Sequence, residues 1–122
     1  MYIKINLDGK YYNNFTEIMR LNEADDYILE IDVYDNAGNS IDYTGKTITS
    51  KIRLVNTVDT TDAFDINGTA TDLENGIFSV DLKDAFTNKG GKAYFVYWYL
   101  DNETDLRNYN IPAGRLIINK QL

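Results

Sequence analysis

The sequence of 122 residues contains no cysteine, no histidine and a single proline. Without cysteine there is no disulfide framework and no thiolate metal site, so packing alone must hold the core, and the redox compartment is left open. Without histidine the chain lacks the commonest general base, a frequent metal ligand and the side chain that titrates nearest neutrality. No apolar run reaches the ~18 residues that mark a membrane-spanning helix. The N-terminus, Met-Tyr-Ile-Lys-Ile-Asn, alternates like a strand and does not place an apolar stretch after a basic head, so no signal peptide is read and a soluble chain made in the cytoplasm is expected. Basic runs are missing too. Lys and Arg number 12 against 19 Asp and Glu, a formal charge of −7, and such a field repels nucleic-acid phosphates, so neither a nucleic acid nor a membrane is expected as a partner. Glycine-rich phosphate loops and nucleophile elbows are also absent.

What the chain does have is period-two alternation and aromatic side chains, with ten tyrosines, five phenylalanines and one tryptophan. Gly76–Asp101 is the organising stretch, read as two strands joined by a short helical turn. In Ile77–Leu82, Phe78, Val80 and Leu82 alternate with Ser79 and Asp81, the pattern of a half-buried strand. Ala93–Leu100 is apolar or aromatic on both faces: Tyr94, Val96, Trp98 and Leu100 on one, Ala93, Phe95, Tyr97 and Tyr99 on the other. Ser79 and Asp81 must stay wet, which fixes Phe78, Val80 and Leu82 as core. Burying Trp98 then assigns Tyr94, Val96, Trp98 and Leu100 to the core and turns Phe95, Tyr97 and Tyr99 outward. Three aromatic residues in a row there would form a patch that a lone domain seldom exposes. Either a subunit contact or the N-terminal segment around Phe15 and Met19 is expected over it.

Alternation also marks Tyr2–Leu7, Tyr27–Tyr34, Thr47–Val55 and Arg115–Lys120. Phe15–Leu21 reads as a weaker strand with a short helix as its alternative, because Ile18 breaks the pattern. Ser50 falls among the inward residues of its strand and needs a partner or a place near the sheet end. Asn56–Asn75 reads as irregular with a short strand near Thr69–Leu73, Lys83–Gly91 as a link in which Ala85 and Phe86 plug the core, and Asn102–Asn110 as a polar loop or edge anchored by Leu106 and Tyr109. Seven or eight short strands separated by turn signals, with no long helical period, imply an all-β chain: one antiparallel immunoglobulin-like β-sandwich domain over residues 1–122. There is no internal repeat and no linker.

Few constellations suggest chemistry. Ala63–Glu74 partly matches a calcium loop, with Asp65, Asn67, Gly68 and Glu74 at its third, fifth, sixth and twelfth positions, but Ala63 replaces the first ligand and the flanks are not helical. A polar turn is the plainer reading, and no cofactor or metal is assigned. Asp101, Glu103 and Asp105 form a second acidic cluster best read as solvated charge. Glycoside hydrolysis needs two carboxyls flanking a cleft, and acids spread over the turns of so small a domain rarely make one, so no catalytic residue is assigned and an enzyme is not expected. The outward stripe Phe95, Tyr97 and Tyr99 is the best binding feature, as cross-strand packing or as a contact surface for protein subunits or sugar rings.

Several of these segments occur in a recognisable order. Ile41-Asp42-Tyr43-Thr44-Gly45-Lys46-Thr47-Ile48 leads into a strand. Gly76-Ile77-Phe78-Ser79-Val80-Asp81-Leu82 follows, and then Gly91-Lys92-Ala93-Tyr94-Phe95. From about Leu21 onward this layout resembles the N-terminal immunoglobulin-like domain of phage baseplate upper proteins, with Met1–Arg20 preceding the match. The resemblance implies a non-enzymatic structural module of the phage virion, in the tail or baseplate or as a decoration protein. It would be assembled in the host cytoplasm and act through contacts with other virion proteins or with itself. It carries over no catalytic residues. The alternative is a carbohydrate-binding module that holds host cell-wall glycans on the tyrosine-rich face.

Overall fold

The computed structural model describes the backbone at residues 2–6, 18–102 and 107–120, and the side chains at 20–100 and 114–120. Its strands are β1 (Tyr2–Asn6), β2 (Ile18–Asn22), β3 (Ile28–Tyr34), β4 (Ile48–Asn56), β5 (Ala63–Asn67), β6 (Thr69–Asp72), β7 (Ile77–Asp81), β8 (Ala93–Asn102) and β9 (Arg107–Asn119). They form a four-stranded sheet in the order β1-β3-β7-β6 and a five-stranded sheet in the order β2-β9-β8-β4-β5. No helix occurs among the described residues. The all-β sandwich expected from the alternation is the fold observed. Most neighbours are antiparallel; β1 runs parallel to β3 and β2 parallel to β9, pairings that need long crossovers in place of hairpins.

Strand parity is what builds the core. Leu29, Ile31 and Val33 of β3 and Phe78 and Val80 of β7 point inward from one sheet, against Ile52 and Leu54 of β4, Tyr94, Val96, Trp98 and Leu100 of β8, and Leu116 and Ile118 of β9. All of the core positions assigned on the two organising strands are buried, Leu82 just beyond β7 included. Ser79 stays half-buried and Asp81 exposed, as their role in fixing the parity requires.

The two organising strands are not a hydrogen-bonded pair, however. β7 lies in the four-stranded sheet and β8 at the centre of the five-stranded one, and they meet across the core, where the Phe78 and Trp98 rings stand 5.7 Å apart. Their link forms turns and no helix, because Asp84 and Asn88 adopt positive φ (58° and 62°), which interrupts helical hydrogen bonding. Phe86 plugs the core from this link and Ala85 packs beside it, as expected.

One further reading is corrected and another is decided. Asn56–Asn75 is not mainly irregular: Phe64 and Ile66 turn inward on β5, whose register with β4 pairs Asp65 with Arg53, and that cross-strand charge pair supports the strand on its outward face. Of the two readings of Asn102–Asn110, loop or edge, the edge is the one met where the chain is described: β9 begins at Arg107 and follows β8 to its end, with Asn102 opposite Arg107, while β2 pairs with β9 only over Arg115–Asn119. Pro112 and Gly114 are absorbed at a register shift opposite Val96 and Tyr97, the kind of position where a strand tolerates a residue without an N–H. Phe15 and Leu106, and the side chains of Met19 and Tyr109, lie outside the described residues.

The sheets are joined at one corner by Gly68, between β5 and β6. Its N–H donates to the Ser50 carbonyl at 2.7 Å, and a Cβ there would collide with the Ser50 hydroxyl. Ser50 is 7% exposed and close to the end of β4, and its Oγ has no hydrogen-bond partner. Of the two conditions set for it, the position near the sheet end is the one met.

Candidate functional site

The outer face of the five-stranded sheet follows from the same parity. With the even residues of β4, β5 and β8 turned inward, the odd ones line up across the strands. Ala63, Val55, Phe95 and Arg115 form one row, Asp65, Arg53 and Tyr97 the next, and Asn67, Lys51 and Tyr99 the third. The structure therefore brings Phe95, Tyr97 and Tyr99 together as an outward ladder on β8, where the sequence places them. Phe95 is 43% exposed, while Tyr97 and Tyr99 are half-buried.

What sequence reasoning missed is the charged border of this ladder. The Arg53 guanidinium donates two hydrogen bonds to the Asp65 carboxylate, from Nε to Oδ1 at 2.7 Å and from Nη2 to Oδ2 at 3.0 Å. Lys51 Nζ donates to Oδ2 at 3.0 Å. Both cations also lie over the Tyr99 ring, Lys51 Nζ at 5.3 Å and Arg53 Cζ at 5.4 Å from its centroid, within the range of cation–π attraction. The bonds from Arg53 and then Lys51 hold the Asp65 carboxyl well below its usual range, at about 2, against the opposing effect of burial. At neutral pH Asp65 is thus an acceptor and not an acid. Beside this group a shallow open depression of about 450 Å³ is lined by Arg53, Val55, Thr60, Ala63, Phe64 and Asp65.

The partial calcium-loop match does not form a loop. Asp65 and Asn67 stand on β5 in one sheet, whereas Glu74 follows β6 of the other sheet, in the turn before β7. Asp65 is already engaged by its two cations. Glu103 and Asp105, and the side chain of Asp101, lie outside the described residues.

A second polar cluster ties the β4–β5 connection to β8. Tyr94, buried with the core, donates its hydroxyl to Asp62 Oδ2 at 2.6 Å, and Asn56 Nδ2 donates to the same oxygen at 3.0 Å. Lys89 and Lys92 bring their ammonium groups to 3.5 and 3.7 Å from the carboxylate. The bonds from Tyr94 and Asn56, then the lysine charges, draw the Asp62 carboxyl down to about 2. Burial, and next the bond to Asp62, push the Tyr94 phenol up. Asn56 Oδ1 also accepts from the backbone N–H groups of Val58 and Asp59. All of these groups tie elements to one another, which makes the cluster a structural clamp. Inward parity placed Tyr94, but no local spacing announced its partner.

Fold and site together define a β-sandwich that presents an aromatic, charge-bordered sheet face. No protein-family model and no curated protein matches the sequence. Among solved structures the chain is similar to the N-terminal domain of phage TP901-1 ORF48, with a TM-score of 0.63 and 16% sequence identity over 98% of this chain and 97% of that one. At that identity the likeness shows the fold. It spans nearly the whole chain, beyond the four fifths over which the sequence motifs run.

Proposed function

We propose that the chain is a non-enzymatic structural module of a phage virion, in its tail or baseplate or decorating its surface, that works through protein–protein contacts on the outer face of the five-stranded sheet. The observation that carries this reading is the ladder Phe95, Tyr97 and Tyr99, outward on the central strand β8 and bordered by Lys51 and Arg53. Aromatic residues and arginine recur at interfaces because they offer large contact area with a polar handle. The shared fold with a domain of a phage protein supports the virion assignment. Its assembly in the host cytoplasm belongs to the same proposal.

A carbohydrate-binding role is the second reading, favoured by the depression beside Arg53 and Asp65, where an ion pair adjoins the aromatic ladder. Two measurements on the purified chain separate them. Stable co-purification with the products of neighbouring structural genes, without glycan-array binding, supports the first. Glycan binding that disappears in Tyr97→Ala supports the second and overturns the first.

A further inference from the structure

On one side the five-stranded sheet ends at β5, with no strand beyond it among the described residues. Two bonds bracket the ladder between β4 and β5: the Asn56 N–H donates to the Asp62 carbonyl at 2.9 Å, and the Gly68 N–H to the Ser50 carbonyl at 2.7 Å. In an antiparallel pair such bonded positions recur at every second residue. Phe64 and Ile66, opposite Leu54 and Ile52, therefore turn their backbone groups toward β4, and Ala63, Asp65 and Asn67 turn theirs to the open edge. An open edge is a template for a further strand, and folds commonly guard it with a lysine, a proline or a bulge. The adjoining edge of the other sheet has such a guard, a register shift between Ala70 and Asp72 on β6. β5, Ala-Phe-Asp-Ile-Asn, has none. Its one charge, Asp65, is already held by Arg53 and Lys51 of its own sheet. Phe64 and Ile66 face inward yet stay half-buried, as core residues do beside a missing neighbour strand.

We infer that this edge pairs with the same strand of a second copy, antiparallel across a two-fold axis at Ile66. The contact is separate from the aromatic face and leaves that face free. In this register Asp65 of each copy stands opposite Asn67 of the other. All of these residues turn their backbone groups to the edge, so each pair can exchange both of its N–H···O bonds. The same pairs set an amide against a carboxylate on the outer side. The Asn67 amide has no partner among the described residues, and the Asp65 carboxylate, which accepts from Arg53 and Lys51, keeps a free lone-pair direction. On the inner side Ile66 meets Ile66 and apolar surface is buried. The alternative two-fold register, centred on Asp65, sets carboxylate against carboxylate, and like charges directly opposite are destabilising. The contact is isologous and closes at a dimer.

The chain has no cysteine, so one introduced thiol reads the register directly. Ile66→Cys faces its own copy at a non-hydrogen-bonded pair, where Cα atoms lie about 4.5 Å apart, within the span of a disulfide. Under mild oxidation the full chain carrying it should give a covalent dimer and nothing larger. Pairing holds the thiols at high effective concentration, so cross-linking should run about tenfold or more faster than in Val58→Cys, whose site in the β4–β5 connection is 92% exposed. Sedimentation velocity supplies a second reading on chains without cysteine. The wild type should form a dimer and no larger species. Asn67→Asp sets carboxylates opposite each other in both pairs and should weaken that dimer about fivefold or more. Asn67→Lys should keep or strengthen it, and both variants should retain the melting temperature. A wild type monomeric at every concentration, or Ile66→Cys cross-linking no faster than Val58→Cys, would overturn the inference. So would equal weakening by Asn67→Asp and Asn67→Lys, or cross-linking of Ile66→Cys to another virion protein in place of a second copy.

Discussion

Asp62 is the residue at which the stability argument is most exposed to test. Its carboxylate takes the Tyr94 hydroxyl at 2.6 Å and the Asn56 amide at 3.0 Å, with two lysines within 3.7 Å. Asp62→Ala leaves a buried phenol and a buried amide without their acceptor. Each such loss costs about 1–3 kcal/mol, so a total of about 2–6 kcal/mol is expected. For a chain of 122 residues this corresponds to a fall in melting temperature of roughly 8–24 °C, at about 4 °C per kcal/mol. Tyr94→Phe removes the donor while keeping the ring in the core, and should cost about 1–2 kcal/mol. The two effects must not add. In the double variant the phenol that Asp62→Ala would strand is gone, so urea denaturation of the four proteins should give a coupling energy of about 1–2 kcal/mol. Additivity within about 0.5 kcal/mol, or an Asp62→Ala variant as stable as the parent, would refute the clamp.

Three further outcomes follow from the same structure. The Asp62 carboxyl is lowered from 3.8 to about 2 on folding, so its contribution of up to about 2 kcal/mol is complete above the unfolded value and is lost as pH falls through the folded one. Stability measured by urea titration should drop steeply between about pH 5 and pH 2, and less steeply in Asp62→Asn. Ser50→Ala removes a buried hydroxyl that has no partner and should leave stability unchanged or raise it by about 1 kcal/mol; a loss of that size in thermal melts would show that the hydroxyl is satisfied. Gly68→Ala should destabilise by about 1–3 kcal/mol, because its methyl group meets the Ser50 hydroxyl and, at 3.3 Å, the Ser79 carbonyl. Adding Ser50→Ala should recover part of that cost, and no recovery would mean that the backbone contact dominates.

Much of the sandwich was legible because parity is a local property. Ser79 and Asp81 set the outward side of β7, Trp98 set the inward side of β8, and the exposed and half-buried aromatic ladder followed without knowledge of any partner strand. The errors arose where non-local contacts decide. Ala63–Asn67 has weak strand propensity, and only its position beside Lys51 and Arg53 makes it an edge strand. Pro112 and Gly114 suggest a break, but ten residues of β8 supply a template that carries β9 past them through a bulge. β7 and β8 are consecutive and both apolar, which suggests a pair; the sandwich separates them because each is needed as the other's opposing layer. The cations over Tyr99 and the carboxylate against Tyr94 escaped for the same reason, since both depend on which strand lies alongside and not on the strand itself.

The central claim is that the Phe95, Tyr97 and Tyr99 face is a contact surface and not simply core. The most direct measurement is Tyr97→Glu, made in the chain co-expressed with its neighbouring structural genes, with melting temperature and copies per purified particle read together. Tyr97 is half-buried on the outer face. A change in melting temperature within about 4 °C, the equivalent of about 1 kcal/mol, is therefore expected with loss of incorporation into particles. A melting temperature lowered by more than about 10 °C, or normal incorporation of a folded variant, would contradict the account.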